Sequence, residues 1–342
     1  MKLVTVLTVC LFSFALSALF AFPITALMKR IKAKQPILQY VELHKKKAGT
    51  PTMGGLIFIL PTLITTCIFG GKGLSMGIAT TLITVSYALI GALDDFLKIK
   101  LKKNEGLKAW QKLLAQLVIA ILASIYCYKN PYVGGELIIP FTSIKVNLKL
   151  FAPFLYLFVY LATINAVNLT DGLDGLATST GLYSFLTFAI IMIVYISNAE
   201  FLGEIGLAKE YNSLLVFISA LIGGLLVFLF VNTNPADIFM GDTGSLALGG
   251  ALASVSIFSK NLLLLLLVGI MYVVSCITVI MQVVYFKLSG GKRIFLMAPL
   301  HHHLQMKGFS EGKIVSLYSA ITFVMGIICI ISVVVGVYGV KG

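Results

Sequence analysis

The feature that most constrains this chain is a series of long apolar runs that recur along its whole length. A helix needs about 20 apolar residues to cross the roughly 30 Å hydrocarbon core of a bilayer. The runs predict an all-α polytopic membrane protein with about ten transmembrane helices, in one domain over residues 1–342. The predicted spans are 3–28, 52–70, 75–97, 110–128, 150–168, 175–197, 211–231, 243–259, 262–286 and 314–339.

The composition agrees with a membrane location. Hydrophobic residues make up 59% of the chain and charged residues 11%, whereas a soluble domain carries about 25% charged residues. The first run, residues 3–28, is too long for the apolar region of a signal peptide, so we interpret it as a retained span.

Basic residues are unevenly divided between the two sets of loops that alternating spans create. One set holds 18 of the 26 Lys and Arg residues, and such an excess marks the cytoplasmic side. We therefore predict that this set is cytoplasmic and that both termini lie outside. The net charge of +13 indicates topology and attraction to anionic lipid, with no nucleic-acid partner. The loops of this set are 29–51, 98–112, 169–174, 232–242 and 287–313.

The predicted outer side offers few chemical groups. Residues 131–149 combine Pro and Gly with alternating apolar residues, which is typical of a small external β-hairpin. The five cysteines lie singly in apolar runs, so neither a disulfide framework nor a zinc site follows.

The six aspartates form three pairs, each at the edge of an apolar run on the predicted cytoplasmic side. A carboxylate beside hydrocarbon costs a few kcal/mol, so it indicates a functional site. Asp94 and Asp95 raise each other's pKa unless a cation neutralises them, and Mg²⁺ takes carboxylate ligands. The alternative is a pair of solvated acids beside the lysines at 98–103.

The second and third pairs lie in polar turns. Asp171 and Asp174, three residues apart, share a face if their turn is helical, and the surrounding segment 165–176 is dense in amide and oxygen groups. A helix N-terminus there would offer N–H donors to a phosphate. Asp242 alternatively fits an N-cap of the following helix, and Asp237 has no assigned role.

Two further segments favour phosphate chemistry. Three of the four histidines are consecutive, at 301–303; they lack the spacing of zinc ligands, so proton transfer or phosphate contact is the better interpretation. Lysines 45–47 precede a Gly/Thr/Pro turn that can hold phosphates, or they anchor the topology. Together the clusters predict phosphoryl transfer between a soluble phosphate donor and a lipid acceptor.

The motifs that carry these residues resemble a known family. The sequence is similar to the polyprenyl-phosphate N-acetylhexosamine-1-phosphate transferases, and within them to the phospho-N-acetylmuramoyl-pentapeptide transferases, from about residue 29 to 313. The resemblance implies transfer from UDP-MurNAc-pentapeptide to undecaprenyl phosphate, with Mg²⁺, giving lipid I and UMP at the cytoplasmic face of a bacterial inner membrane. It also implies a homodimer. The matching motifs are GTPTMGG at 49–55, LDDFLK at 93–98, NLTDGLDGLA at 168–177, FMGDTGSLALGG at 239–250 and MAPLHHH at 297–303.

The resemblance also implies roles for individual residues. Asp94, Asp95 and Asp242 are the acidic catalytic and metal-binding set, with Asp242 the main Mg²⁺ ligand and Asp94 a base for the lipid phosphate. His301 joins the catalytic set. The substrate pocket is expected to contain Lys47, Thr52, Asn168, Asp171, Asp174, Asn232, Phe239, Gln282, His302 and His303, with Asp174 and Phe239 near uracil. Leu304-Gln305 departs from the Phe-Glu that usually follows the histidines, which puts local packing or peptide contacts in question.

Three alternatives remain open. A related transferase would use UDP-GlcNAc as its donor, although PLHHH and KKAGTPTMGG separate the chain from that group. An ion-coupled transporter predicts midplane carboxylates and inverted repeats, whereas these carboxylates lie at one side. A lipid-binding scaffold leaves the Asp and His residues unexplained.

Overall fold

The computed structural model describes residues 2–31, 49–71, 73–101 and 106–339. Twelve α-helices and one two-stranded sheet lie within these ranges. The helices are α1 (Lys2–Arg30), α2 (Leu56–Phe69), α3 (Met76–Leu101), α4 (Ala109–Lys129), α5 (Ala152–Thr170), α6 (Leu176–Phe201), α7 (Ile205–Asn232), α8 (Gly241–Phe258), α9 (Leu262–Val268), α10 (Ile270–Leu288), α11 (Leu300–Met306) and α12 (Glu311–Tyr338).

Eight helices of the described chain are long and apolar enough to cross a membrane: α1, α3, α4, α5, α6, α7, α10 and α12. Of the other predicted spans, α2 is apolar but has only 14 residues, and α8 begins with a polar turn. The predicted continuous span 262–286 is instead interrupted at Gly269, between α9 and α10. The protein is a polytopic helical membrane protein, as the sequence predicts.

The predicted hairpin is present. Strands β1 (Glu136–Ile138) and β2 (Lys145–Asn147) pair antiparallel, with Leu137 opposite Val146. The hairpin lies against the turn after α8, where the Ile138 N–H donates to the Lys260 carbonyl at 3.0 Å. We call this end of the bundle the hairpin end.

Helix α8 is the centre of the bundle, since every residue from Thr243 to Phe258 is buried. Its 18 residues span about 27 Å at 1.5 Å per residue, from the hairpin end to the opposite end, which we call the aspartate end. There α3 approaches the start of α8 at Gly91, where any β-carbon would collide with the Asp242 backbone. This close approach brings Asp94 and Asp95 beside Asp242.

Candidate active site

Three carboxylates from two helices meet at the aspartate end. Asp94 and Asp95 lie near the end of α3, and Asp242 lies in the first turn of α8; one oxygen from each falls within 4.8 Å of the others. Asp94 and Asp95 are buried, each 2% exposed. The sequence-predicted acidic set is therefore assembled, although Asp242 lies 147 residues after Asp95 along the chain.

Asp95 holds the N-terminus of α8. Its carboxylate accepts hydrogen bonds from the Thr243 N–H at 2.9 Å, from the Thr243 hydroxyl at 2.7 Å and from the Asp242 N–H at 3.2 Å. Helix N-termini leave such donors unpaired, so the carboxylate stabilises α8 from outside its own sequence. The alternative of Asp242 as the N-cap is wrong, because Asp242 lies inside the helix and Asp95 supplies the acceptors.

Two lysines pair with the carboxylates. Lys98 Nζ lies 2.7 Å from both Asp94 Oδ2 and Asp242 Oδ2, and Lys112 Nζ lies 2.8 Å from the same Asp242 oxygen. Sequence reasoning treated these lysines only as topology signals. The i, i+4 spacing of Asp94 and Lys98 was a usable sign, whereas nothing local marked Lys112, which comes from α4.

The segment at the end of α5 completes the contacts of Asp242. Asn168 Nδ2 donates to Asp242 Oδ1 at 2.7 Å and lies 2.8 Å from the Ser245 hydroxyl. Asp171 follows in the loop, where burial, then the nearby charges of Asp242 and Asp95, raise the pKa of its carboxyl well above the ordinary value. Asp171 is thus electrostatically part of the cluster.

Asp174 and Asn232 form hydrogen bonds to side-chain and backbone groups of the neighbouring loops. Asp174 Oδ2 accepts from Asn234 Nδ2 at 3.0 Å and from the Ala236 N–H at 3.2 Å. Asn232 Oδ1 accepts from the Gly175 N–H at 3.0 Å, and its Nδ2 donates to the Ile238 carbonyl at 3.1 Å. Both residues fix the loop between α7 and α8 against the start of α6.

A strap at residues 51–55 closes one side of the site. The Phe239 N–H donates to the Pro51 carbonyl, and the Phe239 carbonyl accepts from the Gly54 N–H, both at 2.8 Å. Thr52 is buried, and its hydroxyl has no hydrogen-bond partner among the described residues. Phe239 itself is half-buried, and Asp237 is exposed. Lys47 lies outside the described residues.

The histidines lie on the short helix α11, against the Asp171 loop. His301 is fully buried, and neither ring nitrogen has a partner within the described chain. A β-carbon at Gly172 would collide with His301 Nε2 and lie 3.2 Å from His302 Nε2, so this glycine admits both rings. Burial, followed by the nearby His302, lowers the pKa of His301 to about 3, which keeps the ring neutral.

Gln282 and His303 hold the loop before α11. Gln282 Oε1 accepts from the Ile294 and Phe295 N–H groups at 3.1 and 2.9 Å. His303 Nδ1 accepts from the Leu296 N–H at 3.1 Å. Their side chains therefore position the segment that leads into the three histidines.

The carboxylate cluster suits a divalent cation. Its donors are carboxylate oxygens, which hard cations such as Mg²⁺ and Ca²⁺ prefer, and it already attracts two ammonium groups. Asp242 is its most accessible member, with a side chain 13% exposed against 3% for Asp94 and Asp95. The site can therefore combine a cation with fixed ammonium groups, an arrangement that favours phosphate-bearing ligands.

Comparisons with known proteins agree with this chemistry. Residues 77–260 match the family model of Glycosyl transferase family 4. Residues 47–59 match the model of Phospho-N-acetylmuramoyl-pentapeptide-transferase signature 1. Curated proteins named phospho-N-acetylmuramoyl-pentapeptide-transferase are similar over most of their length. The one from Clostridium perfringens strain 13 is 45% identical over 313 residues, 91% of this chain and 93% of the relative.

Two further relatives of that name extend the match. The protein of Clostridium botulinum strain Alaska E43 is 42% identical over 325 residues, which is 95% of each chain. That of Desulfitobacterium hafniense is 41% identical over 296 residues, which is 86% of this chain and 87% of the relative. With its matched signature and assembled acidic site, the chain belongs to the phospho-N-acetylmuramoyl-pentapeptide-transferase family.

Proposed function

We propose that this chain transfers phospho-MurNAc-pentapeptide from UDP-MurNAc-pentapeptide to undecaprenyl phosphate, giving lipid I and UMP in peptidoglycan synthesis. The observation that carries the proposal is the cluster of Asp94, Asp95 and Asp242 with Lys98 and Lys112 at one end of a membrane bundle. Such a site can receive a soluble diphosphate and a lipid phosphate together.

The three aspartates are the proposed Mg²⁺ ligands, with Asp242 the leading one because its side chain is the most exposed. When bound, Mg²⁺ would screen the negative charge of the donor diphosphate. Asp95 also has a second task, since its oxygens accept the N–H groups of α8.

Lys98 and Lys112 are proposed to bind the diphosphate. Both ammonium groups lie within 3 Å of Asp242 Oδ2, so they are positioned beside the main metal ligand. Phosphate oxygens are strong acceptors for ammonium donors. Ammonium groups fixed in this way stabilise charge that develops on the leaving UMP.

We propose a single displacement. An oxygen of the lipid phosphate bonds to the β-phosphorus of the donor, and the bond from that phosphorus to the bridging oxygen breaks, so UMP leaves with that oxygen. Asp94 accepts any proton left on the lipid phosphate. We assign Asp242 to metal binding and charge stabilisation in this step; its Oδ2 accepts from Lys98 and Lys112, and its Oδ1 accepts from Asn168.

The remaining predicted residues form the proposed substrate pocket, with Asp174 and Phe239 near uracil and His301 in contact with the reacting groups. We also propose that the aspartate end is cytoplasmic, that both termini lie outside, and that the protein acts as a homodimer. The pocket residues are Lys47, Thr52, Asn168, Asp171, Asp174, Asn232, Phe239, Gln282, His302 and His303.

The test is release of UMP by purified protein from UDP-MurNAc-pentapeptide and a polyprenyl phosphate. We expect release that stops on chelation and returns with Mg²⁺. UDP-GlcNAc is the control donor; activity with it alone would reassign the chain to the related GlcNAc-1-phosphate transferases. A phospho-aspartyl intermediate at Asp242 would refute the single displacement, and substantial turnover by Asp242→Asn would exclude the two-step route.

A further inference from the structure

Gln305, on the buried face of α11, connects His302 of the same helix with Glu311 of α12. It is 8% exposed. Its Oε1 lies 2.8 Å from His302 Nδ1, one turn earlier on the helix, and its Nε2 lies 3.4 Å from Glu311 Oε1 at the start of α12.

The contacts fix which way the amide points. If the amide were turned over, its oxygen would face the Glu311 carboxylate, two acceptors with no proton between them. In the arrangement present, Nε2 donates to Glu311, so Oε1 must accept from His302. His302 therefore carries its proton on Nδ1, and Nε2 is the nitrogen that faces Gly172.

The connection continues into the substrate pocket. Glu311 Oε2 accepts from Asn234 Nδ2 at 3.1 Å, and the same Asn234 amide nitrogen lies 3.0 Å from Asp174 Oδ2. Gln305 thus joins the histidine helix to the loop between α7 and α8. A shift at Gln305 would move His302 and Asp174 together.

We propose that Gln305 is a positioning residue. Its neutral amide holds His302 in the Nδ1-protonated form, and it fixes the position of α11 relative to the Asp174 loop through Glu311 and Asn234. The proposal rests on the proposed transfer reaction for its effect on activity, since His302 and Asp174 belong to the proposed donor pocket. A carboxylate at 305 cannot donate to Glu311, and two like charges would face each other there.

The test exchanges the amide and the carboxylate. In Gln305→Glu, we expect the KM for UDP-MurNAc-pentapeptide to rise about tenfold, the effect of losing roughly one charged hydrogen bond, while the KM for polyprenyl phosphate stays within about twofold. In the double variant Gln305→Glu with Glu311→Gln, the amide at 311 can donate to the carboxylate at 305. We expect that variant to return to within about twofold of the unmodified protein.

Met306→Glu is the matched control. It places the same added charge on the next residue of α11, at a side chain that is 54% exposed, and we expect no change in either KM. Equal losses for Gln305→Glu with and without Glu311→Gln would overturn the proposal, and so would no loss at all.

The protonation of His302 gives a readout that does not depend on turnover. In protein labelled with ¹⁵N-histidine, we expect the His302 resonance, assigned with His302→Asn, to show Nδ1 protonated, and Gln305→Leu to remove that preference. An Nε2-protonated His302 in the unmodified protein would overturn the proposal. Absence of UMP release from the unmodified protein would instead refute the proposed reaction, and the labelled histidine would still decide the role of Gln305.

Discussion

The charged side chains at the two ends of α8 are paired in different ways. At the hairpin end, Lys260 Nζ and Glu136 Oε2 form an ion pair at 2.6 Å, and the hydrogen bond from Lys260 lowers the pKa of the Glu136 carboxyl. At the aspartate end, two lysines share one oxygen of Asp242. Among the described residues, one end has a matched pair, whereas at the other end three clustered carboxylates contact two lysines.

The difference separates structural charge from functional charge. A matched pair ties two elements together and needs nothing further. The cluster has surplus carboxylates, and beside it lie buried polar groups, such as Thr52 and His301, that have no partner within the described part of the chain. Its desolvation penalty is high, and folding alone does not offset it. Sites of this kind are typical of ligand binding, so the comparison predicts opposite consequences for substitutions at the two ends.

The largest expected effect is at Asp242. Asp242→Asn keeps the shape of the side chain and removes the charge that Lys98 and Lys112 share. We expect kcat for UMP release to fall by about 10²–10³-fold, the range for loss of one group that stabilises developing charge. Glu136→Gln at the hairpin end is the control, and a comparable loss there would contradict the division between the two ends.

The second largest loss of activity is expected from a substitution of Lys112. Lys112→Met keeps the length of the side chain but removes one of two cations beside Asp242, so we expect kcat/KM to fall by about 10- to 100-fold. In Lys260→Met, activity should be preserved while the thermal unfolding midpoint falls, because the hairpin loses its ion pair. Activity assays and thermal unfolding in the same detergent would measure both, and the reverse pattern would contradict the assignment.

Much of this arrangement could be predicted from the sequence, and the reason lies in how local the signals were. The apolar runs, the hairpin and the three aspartate pairs can each be recognised within a short stretch of sequence. The resemblance then singled out Asp94, Asp95 and Asp242, which the structure assembles. The catalytic and metal-binding roles of these three residues remain predictions.

What could not be predicted depends on contacts between distant elements. Lys112 meets Asp242 across 130 residues of chain, and Asp95 caps a helix that begins 146 residues later. These contacts follow from the approach of α3 to α8 at Gly91. No local sequence pattern indicates that these two helices come close there. The interruption at Gly269 was also missed, because a run of leucines gives the same apolar signal whether or not the helix is continuous.

The approach at Gly91 is itself open to test. An alanine there would push α3 away from the Asp242 backbone, and overpacking of this kind costs about 1–3 kcal/mol. We expect Gly91→Ala to lower the thermal midpoint and to reduce activity, since Asp95 would lose its bonds to α8. Gly312→Ala on α12, where a β-carbon meets nothing within 4 Å, should be neutral or stabilising. Equal behaviour of the two variants would refute the role of Gly91.

The smallest effect concerns His301, through the pH dependence of stability. Its pKa is about 3 in the folded protein and about 6.5 in an unfolded chain, so between these values the unfolded state binds more protons and stability falls as pH falls. At pH 5 the loss reaches about 2 kcal/mol, 1.5 units at 1.36 kcal/mol each. His301→Phe keeps a ring and removes this titration, so its thermal midpoint should fall less than that of the unmodified protein between pH 7.5 and pH 5. Parallel curves would show that His301 titrates alike in the folded and unfolded states, which would contradict its burial as a neutral ring.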